Sequence, residues 1–153
     1  MSTPEQRLAE LGIELPDVVA PLASYVPAVR SGSYVYTSGQ VPMVQGQMPV
    51  TGKVGSEVDP DTANECARVC ALNALAAVRS VTGDLSAVTR IVKVVGYVAS
   101  DPGFTGQPGV VNGASDLLGQ IFGDAGIHAR SAVGVVALPL DAPVELELVV
   151  EVG

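Results

Sequence analysis

The chain has 153 residues and a mass of 15.5 kDa, enough for one core, and sets eight Lys plus Arg against sixteen Asp plus Glu for a net charge of −8. That charge excludes a phosphate-tracking nucleic-acid binder and a basic membrane-surface protein, since both depend on clustered cations. At 48% hydrophobic and 16% charged residues the chain is not disordered. With 4% aromatics and no Trp, its core must be built from Val, Leu, Ile and Ala, and such a core gains from burial at an oligomeric interface.

Residues Thr3-Pro4-Glu5-Gln6 form a capping box, which predicts a short helix from Pro4 to Leu11 stopped by Gly12, with Leu8 and Leu11 as its apolar side. Charges at Glu5, Arg7 and Glu10 interrupt any secretory signal, and no apolar run is long enough to span a bilayer, so the expected compartment is the cytoplasm. Residues 14–23, with Pro16 and Pro21, read as an extended connector. Two β-rich runs, 25–30 and 33–37, flank Ser31-Gly32 and predict a hairpin. The glycine-rich stretch from Met43 to Gly55 reads as an irregular loop.

Asp59 as cap, Pro60 at the first helical position and Gly83 as terminator bound the longest predicted helix. Its stripe of Ala63, Cys66, Ala67, Cys70, Ala74, Ala77, Val78 and Val81 is made of small side chains that let a helix lie close to a sheet. A central strand follows over 90–100. A second helix spans about 108–122, with Val111, Ala114, Leu118, Ile121 and Phe122 inward, and two strands, 130–138 and 144–152, end the chain. The predicted class is α+β, two layers in the order β-β-α-β-α-β-β behind an extra N-terminal helix, with a mixed sheet and two helices packed on one face. The expected organisation is a single domain over 1–153, with 1–24 as N-terminal helix and connector and 25–153 as core.

Chemical signposts are sparse. No phosphate-binding glycine motif occurs. The sole histidine, His128, is far in sequence from Cys66 and Cys70, which rules out a zinc site and leaves the two cysteines as buried thiols on one helix. Two charged features remain. Arg130 opens an otherwise small, apolar strand and offers a planar fork of donors to a carboxylate; the plainer alternative is a surface arginine at a strand end. Over 144–152, period-two alternation puts Val144, Leu146, Leu148, Val150 and Val152 toward the helices and Glu145, Glu147, Val149 and Glu151 outward. If the last two strands pair as a hairpin across 139–143, Glu145 lies opposite about residue 137, roughly 23 Å along the ladder from Arg130 at about 3.3 Å per residue. The two could then share a substrate only if neighbouring subunits supply one each.

Four short blocks in order, Thr37-Ser38-Gly39-Gln40-Val41-Pro42, Ala129-Arg130-Ser131-Ala132-Val133, Leu138-Pro139 and Val144-Glu145-Leu146-Glu147, resemble the RidA/YjgF family, also known as the L-PSP endoribonuclease family. The likeness covers about residues 25–152, and the N-terminal helix and long 43–55 loop match a longer-chain branch. It implies a chorismate-mutase-like fold, a homotrimer with clefts between subunits, and cofactor- and metal-free hydrolysis of reactive enamines and imines such as 2-aminoacrylate to 2-oxo acids and ammonia. By the same resemblance Arg130 binds the substrate carboxylate and Glu145 positions or activates water. Tyr25 is the aromatic wall, Ser38 and Gly39 make backbone-side contacts, Asn112 comes from the second helix, and Ala132 stands at a substrate-facing position. Active members usually carry Cys where this chain has Ala132, Pro where it has His128, and Gly-Pro where it has Ala23-Ser24. The expected partners are a second and third copy of the chain and a small carboxylate-bearing metabolite, with no nucleic acid and no membrane. Two rival readings stay open: a non-catalytic homotrimer that binds a carboxylated metabolite in a regulatory role, and an endoribonuclease.

Overall fold

Thr3 accepts the Gln6 backbone N–H while the Gln6 side chain accepts the Thr3 N–H, and this reciprocal cap starts helix α1, Pro4–Glu10. The computed structural model describes residues 2–19 and 24–153. Residues 20–23, which hold Pro21 of the expected connector and Ala23 of the family departure, lie outside the described residues. Leu8 is buried, but Leu11 is 43% exposed and is not part of the helix's inward side. The reason is that Leu11 is the C-cap, where the chain already leaves the helix.

A short hairpin follows: β1, Ala28–Ser31, and β2, Tyr34–Thr37, turn at Gly32, whose φ of +60° suits a residue without a side chain. Asp59 caps α2, Pro60–Thr82, by accepting the Thr62 N–H, and Gly83 ends it with φ +81°. Its small-residue stripe is buried as expected except Val81, in the last turn, which is 37% exposed. Both cysteines are buried and free, and burial pushes Cys66 up to about 11 and Cys70 well above the ordinary thiol range. The remaining elements are β3, Val88–Ala99; α3, Gln107–Phe122; β4, Ala129–Val135; and β5, Val144–Val152.

The sheet order is β1-β2-β5-β3-β4, with β3 and β4 parallel and all other neighbours antiparallel. The last two strands therefore do not pair as a hairpin: β3 lies between them. β3 is the longest strand, and its apolar run needs partners on both edges, so β5 pairs with one and β4 with the other. A β-bulge between Ile91 and Lys93 switches which alternate residues face the helices. Ile91 is buried before it, and Val94, Gly96 and Val98 are buried after it, which turns Tyr97 to the opposite face. The inward residues of β5, Val144, Leu146, Leu148, Val150 and Val152, join those of α2 and α3 in one apolar cluster. The other face of the sheet exposes Val29, Tyr36 and Val133 beside the part-buried Glu145, Glu147, Val149 and Glu151. Among the described residues no helix is long and apolar enough to cross a membrane.

Candidate active site

Arg130 sits opposite Val94, and Val94 opposite Leu148, both buried under the helices. Cross-strand partners share a face, so Arg130 points to the helix side of the edge strand. There its Nη1 donates to Asn112 Oδ1 at 2.7 Å and to Ser115 Oγ at 3.2 Å. Asn112 and Ser115 are three residues apart on α3 and so lie on one side of that helix. Ser115 Oγ is 2.9 Å from His128 Nε2, and His128 Nδ1 is 2.6 Å from the Gly126 carbonyl. Both Nη1 hydrogens are thus engaged. Among the described residues the Nε–Nη2 edge of the guanidinium has no hydrogen-bond partner and Arg130 makes no ion pair.

Glu145 is placed elsewhere. It pairs with Tyr97 on the opposite face of the sheet, and its half-buried side chain lies against Gly39, where a Cβ would come within 2.8 Å of Glu145 Cδ. Burial first, and then the neighbouring Glu147 carboxylate, raise the Glu145 carboxyl above its ordinary value. The Tyr97 hydroxyl donates to Glu147, and that bond, with burial and the two carboxylates, pushes Tyr97 up to about 12. Glu145, Gly39, Tyr25 and Gln40 line a cavity of about 80 Å³ together with the apolar side chains of Pro27, Met43 and Leu140. Leu140 and Asp141 hold left-handed backbone, φ 59° and 56°, and Lys53 ties Asp141 down at 2.8 Å.

The sequence-derived set accordingly falls into two groups. Tyr25, Gly39 and Glu145 come together; Arg130 and Asn112 come together. Ala132 is on the Arg130 side, part-buried against the core, two residues along β4. Ser38 donates its hydroxyl to the Val26 carbonyl at 2.6 Å and its N–H to the Pro27 carbonyl, which holds the Tyr25 segment against β2. Along the observed ladder Arg130 and Glu145 are about three residues and two strands apart, roughly 14 Å between backbones in place of the 23 Å of a hairpin. The wrong pairing caused that error, but the separation stands because the two side chains face opposite ways. Ser115 was not singled out from the sequence, although its i+3 spacing from Asn112 was readable. A larger cavity, about 410 Å³, lies between α1 and the end of α3; it is lined by none of these residues, and its Arg7 is directed at the Gln120 carbonyl.

These elements define a class: a two-layer α+β domain with helices on one sheet face, the other face open, and an arginine presented from the edge strand. The chain belongs to the family described as "YjgF/chorismate_mutase-like, putative endoribonuclease", which matches residues 5–152. It is 42% identical over 147 residues to protein TCP17 of Trypanosoma cruzi, covering 95% of this chain and 92% of that protein. The crystal structure of Atu1372 from Agrobacterium tumefaciens, a protein of unknown function, superposes with a TM-score of 0.90 at 46% identity, over 98% of this chain and 92% of that one. The structure of Escherichia coli TdcF with bound serine superposes with a TM-score of 0.62 at 25% identity, over 90% and 93% of the two chains.

Proposed function

We propose that the protein is a cofactor-independent deaminase that hydrolyses reactive 2-enamine and 2-imine acids, such as 2-aminoacrylate, at clefts between the subunits of a homotrimer. The observation that carries this reading is the state of Arg130. Asn112 and Ser115 take both hydrogens of Nη1 and leave the Nε–Nη2 edge, which has the spacing to grip a carboxylate with two parallel bonds. A substrate held by its carboxylate keeps only one carbon, the C=N carbon, beside the anchor, so orientation is supplied by binding alone. Serine in TdcF is an amino acid of similar size, bound by a protein of the same fold.

The reaction balances simply. The enamine tautomerises to the imine, water adds its oxygen to the C=N carbon, and the resulting carbinolamine expels ammonia as the C–N bond breaks, leaving the 2-oxo acid. Glu145 in its ionised form accepts the proton of the attacking water and returns it to the departing nitrogen. Tyr25 walls the apolar side of its cavity, and Gly39 leaves room for the carboxylate. Arg130 and Glu145 face opposite sides of one sheet, so a shared cleft requires the carboxylate of one protomer to meet the guanidinium of the next. The exposed Val29, Tyr36 and Val133 on the open face are apolar surface for that contact. A net charge of −8 and the acidic β5 face disfavour the RNA cleavage named in the family's description.

The test is ammonia release from 2-aminoacrylate generated in situ by a pyridoxal-phosphate lyase. The protein should accelerate it, and Arg130→Ala should reduce kcat/KM by about a hundredfold or more, the loss of a bidentate charged pair at about 3 kcal/mol. Calorimetric binding of 2-oxo acids without any acceleration would instead select the non-catalytic, metabolite-binding reading.

A further inference from the structure

We propose that Ser115 and His128 are positioning residues that hold the Arg130 guanidinium in its receptive orientation, through a chain of hydrogen bonds that ends on the Gly126 carbonyl beyond α3. The inference rests on the reading of Arg130 as the carboxylate anchor. A guanidinium only donates, so Ser115 Oγ must accept from Arg130 Nη1, and the Ser115 hydroxyl hydrogen is left to point elsewhere. The acceptor beside it is His128 Nε2 at 2.9 Å. At the other side of the ring, a carbonyl only accepts, so Nδ1 carries the hydrogen that meets the Gly126 oxygen. With the imidazole neutral, one arrangement satisfies every atom: the ring hydrogen on Nδ1, Ser115 donating to Nε2, and Arg130 donating to Ser115 and Asn112.

The far end of the chain is rigid. Gly126 is buried, and a Cβ there would lie 2.9 Å from the Leu118 carbonyl carbon, so the loop is pressed onto α3. The carbonyl that orients His128 is thereby fixed to the same helix that carries Asn112 and Ser115. A free arginine on an edge strand would sample several rotamers; this one has two acceptors, and one of them is held in turn.

Pyruvate, a 2-oxo acid carrying only the carboxylate and a methyl group, is the probe. Ser115→Ala should weaken its calorimetric Kd by about tenfold, the worth of one bond to a charged group. His128→Leu should weaken it several-fold, and His128→Gln, whose amide oxygen again accepts from Ser115, should recover most of the loss. In the deaminase assay the same variants should raise KM and leave kcat within about twofold, because they act on the anchor and not on the water. In the Arg130→Ala background, Ser115→Ala should add nothing, which a role in folding alone would not produce. Ring nitrogen NMR should show Nδ1–H with a bare Nε2, and pyruvate should shift the Nε2 signal in the native chain and not in Ser115→Ala. If Ser115→Ala does not fold, the His128→Leu and His128→Gln pair decides. Native-like pyruvate affinity in folded Ser115→Ala and His128→Leu, with affinity lost in Arg130→Ala, overturns the positioning role and leaves the anchor standing. Native-like affinity in Arg130→Ala overturns both.

Discussion

In the proposed reaction Glu145 faces two demands that pull against each other: a base must ionise, yet burial and the Glu147 carboxylate raise its carboxyl above the ordinary value. The ionised form is the working one and the folded carboxyl value is raised, so activity should fall on acidification earlier than for an ordinary carboxylate. Glu147→Gln removes the like charge and should move the acid limb of the kcat/KM profile to lower pH, with the plateau retained; an acid limb unmoved by that variant would count against Glu145 as the base. In stability the raised value acts the other way. The advantage of the protonated form is complete below the unfolded value and is lost as pH rises through the folded one, so Glu145→Gln should raise Tm by a few degrees at neutral pH while lowering activity. Gly39 makes the same point sterically. Its backbone needs no special φ, but a methyl there meets the Glu145 carboxylate. Gly39→Ala should cut kcat by about tenfold or more and leave the urea midpoint nearly unchanged, since Gly39 is exposed.

At the scale of elements, the close approach of α2 and α3 sets where Asn112 and Ser115 stand. Gly113, between them in sequence, is buried, and a Cβ there would lie 2.8 Å from the Asn64 carbonyl carbon on α2. Backbone cannot yield as a side-chain tip does. Gly113→Ala should therefore cost about 1–3 kcal/mol in urea unfolding, and weaken pyruvate binding as Asn112 and Ser115 are pushed aside together. Much of this layer was legible in the sequence because caps and periodicity are local: the Asp59, Pro60 and Gly83 bounds of α2 and the whole of β5 match the structure. The neighbour of each strand was not legible. The five residues 139–143 between the predicted strands suit a hairpin, but β4 ends at Val135 and not at 138, and positive φ at Leu140 and Asp141 with the Ala99 N–H bond to the Pro143 carbonyl carries the chain across the end of β3 instead. Period-two alternation says which residues share a face, not which strand lies beside them. For the same reason Arg130, Glu145 and Gly39 could be singled out from short motifs, and Tyr25 and Asn112 from the family resemblance, while their separation into two groups on opposite faces required the sheet order. Ser115 and His128 were invisible as a pair because their contact joins a helix to the loop beyond it.

At the scale of the whole molecule, in the proposed reaction, a sheet that presents Arg130 on one face and Glu145 on the other makes assembly part of the chemistry. If each cleft of a homotrimer takes Arg130 from one protomer and Glu145 from the next, two inactive proteins can repair each other. Arg130→Ala supplies clefts with Glu145 and no guanidinium; Glu145→Gln supplies the converse. Unfolded together in equal amounts and refolded, they assemble at random, and a cleft is intact only when its guanidinium comes from the second protein and its carboxylate from the first. That happens with probability one half times one half, so the mixture should recover about a quarter of the native deaminase rate for a cyclic arrangement. Sedimentation should report the mass of three chains throughout. Were both residues of each cleft drawn from one protomer, every cleft in the mixture would carry one of the two substitutions and the rate would stay at the level of the separate variants. The ratio of recovered to native rate therefore measures the geometry of the assembly and the joint use of the two groups in one experiment.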